Sequence, residues 1–357
     1  MKKLAIMLSF ILTILLITAC GNEETATEQG NEKTGDDNGE LNVYTTVYPL
    51  QFFTEKIGGE TVNVHSILPP GSDAHTYEPT TKEMVKMAEA DLFVYNGAGL
   101  EGYAKKISES IQPEGVEILE AAGDLDLKEH VHNHGEGAEG EDHHGEDEHA
   151  HGEDEHGHEE DEHAHEEDEH AKGEDSHDGH GHGEKDPHVW LDPVRAVQMA
   201  EGIKNQLIEM NPEEEELYEE NYEELQAKLM DLDQAFHERV ESKAKSKIIV
   251  SHAAYGYWEE AYGIEQIAVS GLSPTNEPSQ KDLENIVQVA ESNNLEYVVF
   301  EQNITPKVSE VIQNEIGAEA LRFHNLSVLT KENVKNDEDY FSLMEQNLDV
   351  LTQALSK

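Results

Sequence analysis

From Leu41 onward, short apolar runs rich in Val, Ile, Tyr and Phe alternate with stretches in which apolar residues recur every three or four positions. LNVYTTVYPL, TVNVHSILPP and ADLFVYNGAG end in Pro or Gly and predict strands. Between them FFTEKIGG and TKEMVKMAEA carry helical spacing, with Met84, Met87 and Ala88 on one face. VRAVQMAEGIKNQLIEM predicts an amphipathic helix through Val194, Val197, Ile203, Leu207 and Met210. Pro212 restarts the pattern. PEEEELYEENYEELQAKLMDLDQAFHERVESKAKS then reads as one long helix, its acids near the start and its Lys and Arg near the end, as the helix dipole favours. At ~1.5 Å per residue it would run ~45 Å, long enough for a rigid strut. A second set follows, with KIIVSHAAY, EQIAVSG, LEYVVFEQ and ALRFHNL as strands and KDLENIVQVAESN and PKVSEVIQNEIG as helices. Strands alternating with helices predict parallel α/β layers. The expected architecture is two α/β lobes joined by a long backbone helix, with a ligand in the interlobe cleft at the carboxyl ends of the strands.

Two stretches break the pattern. At the N-terminus, Lys2 and Lys3 precede an apolar run from Leu4 to Ile17, followed by Thr18-Ala19-Cys20-Gly21. This predicts a secretory signal over 1–19. The run is short for a membrane span of ~20 residues. The small residues before Cys20 resemble a bacterial lipobox, which implies lipidation of Cys20, a membrane anchor and an extracytoplasmic location. Residues 20–40 read as a polar tether without periodicity. The second stretch, 129–186, repeats His-x-His with acidic spacers about every seven residues: His149/His151, His156/His158 and His163/His165. Nothing apolar falls at a coiled-coil position, so it predicts an insertion without a core.

Composition narrows the chemistry. With 78 Asp+Glu against 24 Lys+Arg, the formal net charge is -54, which repels nucleic acid and favours cations. Cys20 is the single cysteine, so no disulfide and no cysteine-rich zinc site can form within the chain. The insertion holds 15 of the 21 histidines, a composition suited to weak, multivalent metal capture. Its HEEDEH segments space His at i and i+5, not the i and i+4 of a zinc-protease helix. No Walker segment and no GxSxG is present in the chain, so no enzyme is expected.

Outside the insertion, His75 follows a predicted strand in LPPGSDAHTYEP, and His188 lies in the Pro-bracketed loop DPHVWLDP. His252 ends the strand IIVSH and Glu301 ends YVVFE. All four lie where strands give way to loops, two from each half. Three imidazoles and one carboxylate suit tetrahedral Zn2+, whereas a second carboxylate in place of His252 would suit Mn2+ better. Taken singly, each histidine fits a hydrogen-bonded loop or core residue equally well. His65 is expected to point off a strand face, His237 to be exposed on the long helix, and His324 to be structural and the reserve ligand.

LNVYTTVYPL, LPPGSDAHTYEPT, DLFVYNGAGLE, the His/acid-rich insertion, DPHVWLDP, SHAAYGYW, SGLSPTNEPS and VVFEQN together resemble the zinc-specific branch of the solute-binding lipoproteins that serve metal ABC importers. The resemblance runs from about residue 41 to the C-terminus. It implies a two-lobed receptor that binds Zn2+ through His75, His188, His252 and Glu301 and delivers it to an ABC permease. The pattern of elements gives an N-terminal lobe over 41–212, a linking helix over 213–245 and a C-terminal lobe over 246–357. A monomer is expected. The alternatives are a manganese or iron receptor of the same class and a surface zinc-storage or adhesin lipoprotein.

Overall fold

The computed structural model describes residues 39–129 and 185–356. The expected signal, Cys20, the tether as far as residue 38 and the histidines of the insertion lie outside the described residues. Two four-stranded sheets, both wholly parallel, form the frame. The first contains β1 (Leu41–Thr45), β2 (Val62–Ser66), β3 (Leu92–Tyr95) and β4 (Glu117–Glu120) in the order β2-β1-β3-β4. The second contains β5 (Lys247–His252), β6 (Glu265–Ser270), β7 (Tyr297–Glu301) and β8 (Glu319–Phe323) in the order β6-β5-β7-β8. The order therefore repeats. Each sheet has a switch point, at β1/β3 and at β5/β7, where successive crossovers leave in opposite directions and open a crevice at the carboxyl ends of the strands.

The predicted strands all form, although the first is shorter than LNVYTTVYPL. Pro49 cannot donate to a ladder, and it sits instead in the first turn of α1 (Tyr48–Gly58), which buries Phe52, Phe53 and Ile57. Helices α2 (Thr81–Ala88), α4 (Pro193–Met210), α5 (Glu215–Glu241), α7 (Gln280–Ser292) and α8 (Lys307–Ile316) correspond to predicted segments. The strand β4 and the helices α3 (Ala104–Ile111), α6 (Gly256–Tyr262), α9 (Lys331–Lys335) and α10 (Tyr340–Ala354) add to them. No helix among the described residues is long and apolar enough to cross a membrane.

Two α/β lobes result, and α5 spans both. Its buried stripe is Tyr218, Tyr222, Leu225, Leu229, Leu232, Phe236 and Val240, spaced in three- and four-residue steps. On the first lobe, the Tyr218 hydroxyl lies 2.7 Å from that of Thr61, and Asn221 Nδ2 donates to the Ile57 carbonyl at 2.8 Å. On the second, Tyr262 Oη donates to Asp233 at 3.0 Å and Arg239 donates to Asp349 at 2.6 Å. The lobes also share one apolar core that joins Val43, Phe53 and Phe93 to Val250, Trp258, Phe323 and Leu348. Phe52 stacks on Tyr340 at 5.9 Å, and the Tyr340 hydroxyl donates to the Trp190 carbonyl at 2.7 Å. Swinging one lobe away would expose this core at roughly 25 cal/mol per Å2 of apolar surface, so the cleft has a stiff back.

Candidate metal centre

Two loops and two strand ends meet in the cleft. His252 and Glu301 are the last residues of β5 and β7, so they flank the switch point of the second sheet. His188 precedes the turn Val189–Leu191 that leads into α4, where Asp192 caps the helix by accepting from the Arg195 amide. That turn is anchored in the other lobe: Trp190 Nε1 donates to the Asn325 carbonyl at 2.8 Å and Trp258 Nε1 to the Leu191 carbonyl at 2.7 Å. His75 lies on the loop after β2, its amide donating to Asp73 Oδ1 at 3.0 Å. The same loop reaches the second lobe, because Gly71 N donates to the Leu329 carbonyl and Asn303 Nδ2 to the Ser72 carbonyl, both at 3.1 Å.

The three imidazoles converge through one edge. His75 Nε2 lies 3.2 Å from His188 Nε2, and His252 Nε2 lies 3.3 Å from the same atom. Among the described residues, these three are the group whose ligand atoms all fall within 4.8 Å of one another. His188 and His252 are each 1 % exposed, and His75 is only partly buried, on the open side. Tetrahedral zinc with Zn–N of ~2.0–2.1 Å sets neighbouring nitrogens about 3.3–3.4 Å apart. Both Nε2 contacts to His188 match that spacing.

Carboxylates occupy the far edge of two rings. His188 Nδ1 lies 2.8 Å from Asp186 Oδ1, and His252 Nδ1 faces Glu301 Oε1. Asn325 Nδ2 donates to Glu301 Oε2 at 2.7 Å. With the Nδ1 protons directed to carboxylates, the Nε2 lone pairs of His188 and His252 face each other, an arrangement that a cation relieves. Burial raises the Glu301 pKa, but the His252 charge and hydrogen bond, the His188 charge and the Asn325 amide outweigh it and hold the carboxyl below its usual range. His75 is pushed down to about 3, first by burial and then by repulsion from His188 and His252. An uncharged His75 keeps its lone pair available for a cation.

The structure thus brings His75, His188 and His252 together and sets Glu301 behind His252, on its Nδ1 edge. The other histidines stand apart. His65 is exposed on β2 against Tyr44, and His237 is exposed 3.7 Å from Asp233. His324 is buried, with Nδ1 accepting from the Leu326 amide at 3.1 Å and Nε2 donating to Asn333 Oδ1 at 3.0 Å, so both ring nitrogens are engaged structurally. The insertion histidines His149, His151, His156, His158, His163 and His165 lie outside the described residues. Sequence reasoning overlooked Asp186. The available signal was the Asp-Pro-His spacing, since an Asp side chain commonly bonds the backbone two residues on, as Asp186 Oδ1 does with the His188 amide at 3.0 Å.

Comparison with known proteins agrees with this geometry. The family described as zinc-uptake complex component A, periplasmic, matches residues 43–354. The high-affinity zinc uptake system protein ZnuA of Bacillus subtilis is 33 % identical over 341 residues, covering 96 % of this chain and 94 % of that protein. The zinc-binding lipoprotein AdcA of Streptococcus pneumoniae is 32 % identical over 353 residues, covering 99 % of this chain but 61 % of the relative, so the chain spans about three fifths of that protein's length. The crystal structure of the Zn(II)-bound ZnuA-like domain of the same AdcA superposes with a TM-score of 0.66 at 30 % identity, covering 89 % of this chain and all of that domain. With a family model matched over 43–354 and a 33 % identical relative covered to 94 %, the chain belongs to the family of the periplasmic component A of zinc-uptake complexes.

Proposed function

We propose that this chain is an extracytoplasmic zinc receptor that binds Zn2+ through His75, His188 and His252 and delivers it to an ABC-type permease. The observation that carries the reading is the Nε2 spacing of 3.2 and 3.3 Å about His188, which fits tetrahedral zinc. Glu301 serves the site as the carboxylate behind His252, orienting its ring and offsetting the cation's charge. Three nitrogen donors favour zinc over manganese, which prefers harder oxygen sites. The role is capture and hand-over, not catalysis. Lipidation at Cys20 would hold the receptor at the outer face of the cytoplasmic membrane, and the 20–40 tether would give it reach to a permease. The insertion would collect zinc loosely around the tight site. Its ends lie together, with Glu129 and Lys185 joined by an antiparallel bridge.

Competition with a zinc chelator of known affinity tests the central reading. The wild type should show one tight site. His252→Ala should lose it, and deletion of 130–182 should keep it, leaving Gly183-Glu184 as a two-residue, Gly-first hairpin connection. Loss of the tight site on that deletion, or its persistence in His252→Ala, would overturn the reading. A measured preference for Mn2+ over Zn2+ would replace the cargo. Zinc-limited growth after gene deletion tests delivery: unimpaired growth, in a strain with no second importer, would favour a storage lipoprotein.

A further inference from the structure

We propose that Asp186 is a positioning residue for the cargo site, fixing the His188 ring and completing the charge balance of a buried divalent ion. The inference rests on the three-imidazole reading above. Asp186 is 1 % exposed, and its Oδ1 accepts from both the amide and the Nδ1 of His188, at 3.0 and 2.8 Å. Two bonds to one oxygen set the rotation of the imidazole and its tautomer, leaving Nε2 as the lone-pair atom. The backbone of Asp186 is itself fixed on both sides. Its amide donates to the Lys128 carbonyl at 2.9 Å, and its carbonyl accepts from the Tyr257 hydroxyl at 2.7 Å.

Those bonds tie His188 to two other parts of the molecule. Lys128 and Glu129 form one side of the closed base of the insertion, and Lys185 and Asp186 form the other. Lys128 Nζ crosses to α6, donating to the Gly256 carbonyl at 2.8 Å and to Glu259 Oε2 at 2.9 Å. The residue that orients His188 is therefore the last one of the 129–186 stretch, and it is clamped to the helix that follows His252. The charges close as well. Counted as groups, two carboxylates behind three imidazoles match the charge of one divalent cation. The Asp186–His188 and Glu301–His252 pairs thus act as matched halves of one device.

The test uses the full chain, with zinc affinity read by chelator competition and ligand geometry read from the visible absorption of bound Co2+. Asp186→Ala should weaken zinc about 10- to 100-fold and alter the cobalt band. Asp186→Asn keeps an oxygen for both His188 donors and loses only the charge, so it should keep the cobalt band shape while binding zinc less tightly than the wild type. His188→Ala should abolish the tight site. Persistence of tight binding in His188→Ala would sink the site assignment itself. Its loss there, combined with an Asp186→Ala affinity within twofold of the wild type and an unchanged cobalt band, would overturn the inference alone. Should Asp186→Ala fail to fold, Asp186→Asn decides: an affinity equal to the wild type's would refute the charge-balance role.

Discussion

Gly256→Ala perturbs the metal centre from the opposite lobe without touching a ligand. Gly256 is the first residue of α6, and a Cβ built there would lie 2.4 Å from Asp186 Oδ2. Ordinary contact begins at 3.4 Å, so the carboxylate must withdraw by about 1 Å. Asp186 cannot turn freely, because its other oxygen holds His188 and its backbone is bonded to Lys128 and Tyr257. A withdrawal of that size along the Asp186–His188 contact, now 2.8 Å, would break a charge-assisted hydrogen bond. Such bonds contribute about 1.5–3 kcal/mol, and ~1.4 kcal/mol is a factor of ten in affinity. The variant should bind zinc about 10- to 100-fold more weakly in chelator competition. Wild-type affinity with a lowered melting midpoint would show that α6 yields instead of Asp186, and would refute the reasoning.

Three further outcomes are expected. Trp190→Phe removes the indole donor from the buried Asn325 carbonyl and leaves a cavity in the shared core, so urea unfolding should show a loss of about 2–4 kcal/mol. Burial lowers the pKa of His324, outweighing its bond to Asn333. The pH dependence has a definite sign, because the unfolded chain takes up the proton first: the stability His324 contributes is full above about pH 6.5 and falls as the pH drops below that. The apo melting temperature of the wild type should therefore fall more between pH 7.5 and 5.5 than that of His324→Gln; equal slopes would contradict this. Small-angle scattering should show no resolvable compaction on zinc binding, since α5 and the common core tie the lobes together.

The strands and long helices were legible because their apolar period is strong and their ends are punctuated. The spanning helix is the clearest case, with its Tyr, Leu and Phe stripe running unbroken from Tyr218 to Val240. What escaped was short or ambiguous. β4 is a four-residue edge strand reading EILE, too brief for a period, and α6 is only seven residues long, separated from β5 by three residues. The direction of α4's buried face was also shifted. Val197, Ile203 and Leu207 are buried as expected, but Val194 is 41 % exposed, and Ala196, Met199 and Ala200 also pack inward. At the site, His252 and Glu301 as strand ends and His75 and His188 as loop residues were readable from sequence. Their division into a nitrogen trio and backing carboxylates was not, since it depends on which ring edge faces the cleft. Asp186 escaped for the same reason: its role appears only once the His188 ring is placed.

The most direct test is a crystal structure of the zinc-loaded protein with anomalous data collected on both sides of the zinc edge. A strong peak bounded by the Nε2 atoms of His75, His188 and His252, with Asp186 and Glu301 still on the Nδ1 edges of their partners, is the predicted result. A full-occupancy peak anywhere else in the molecule, with the three imidazoles left unliganded, would contradict the account.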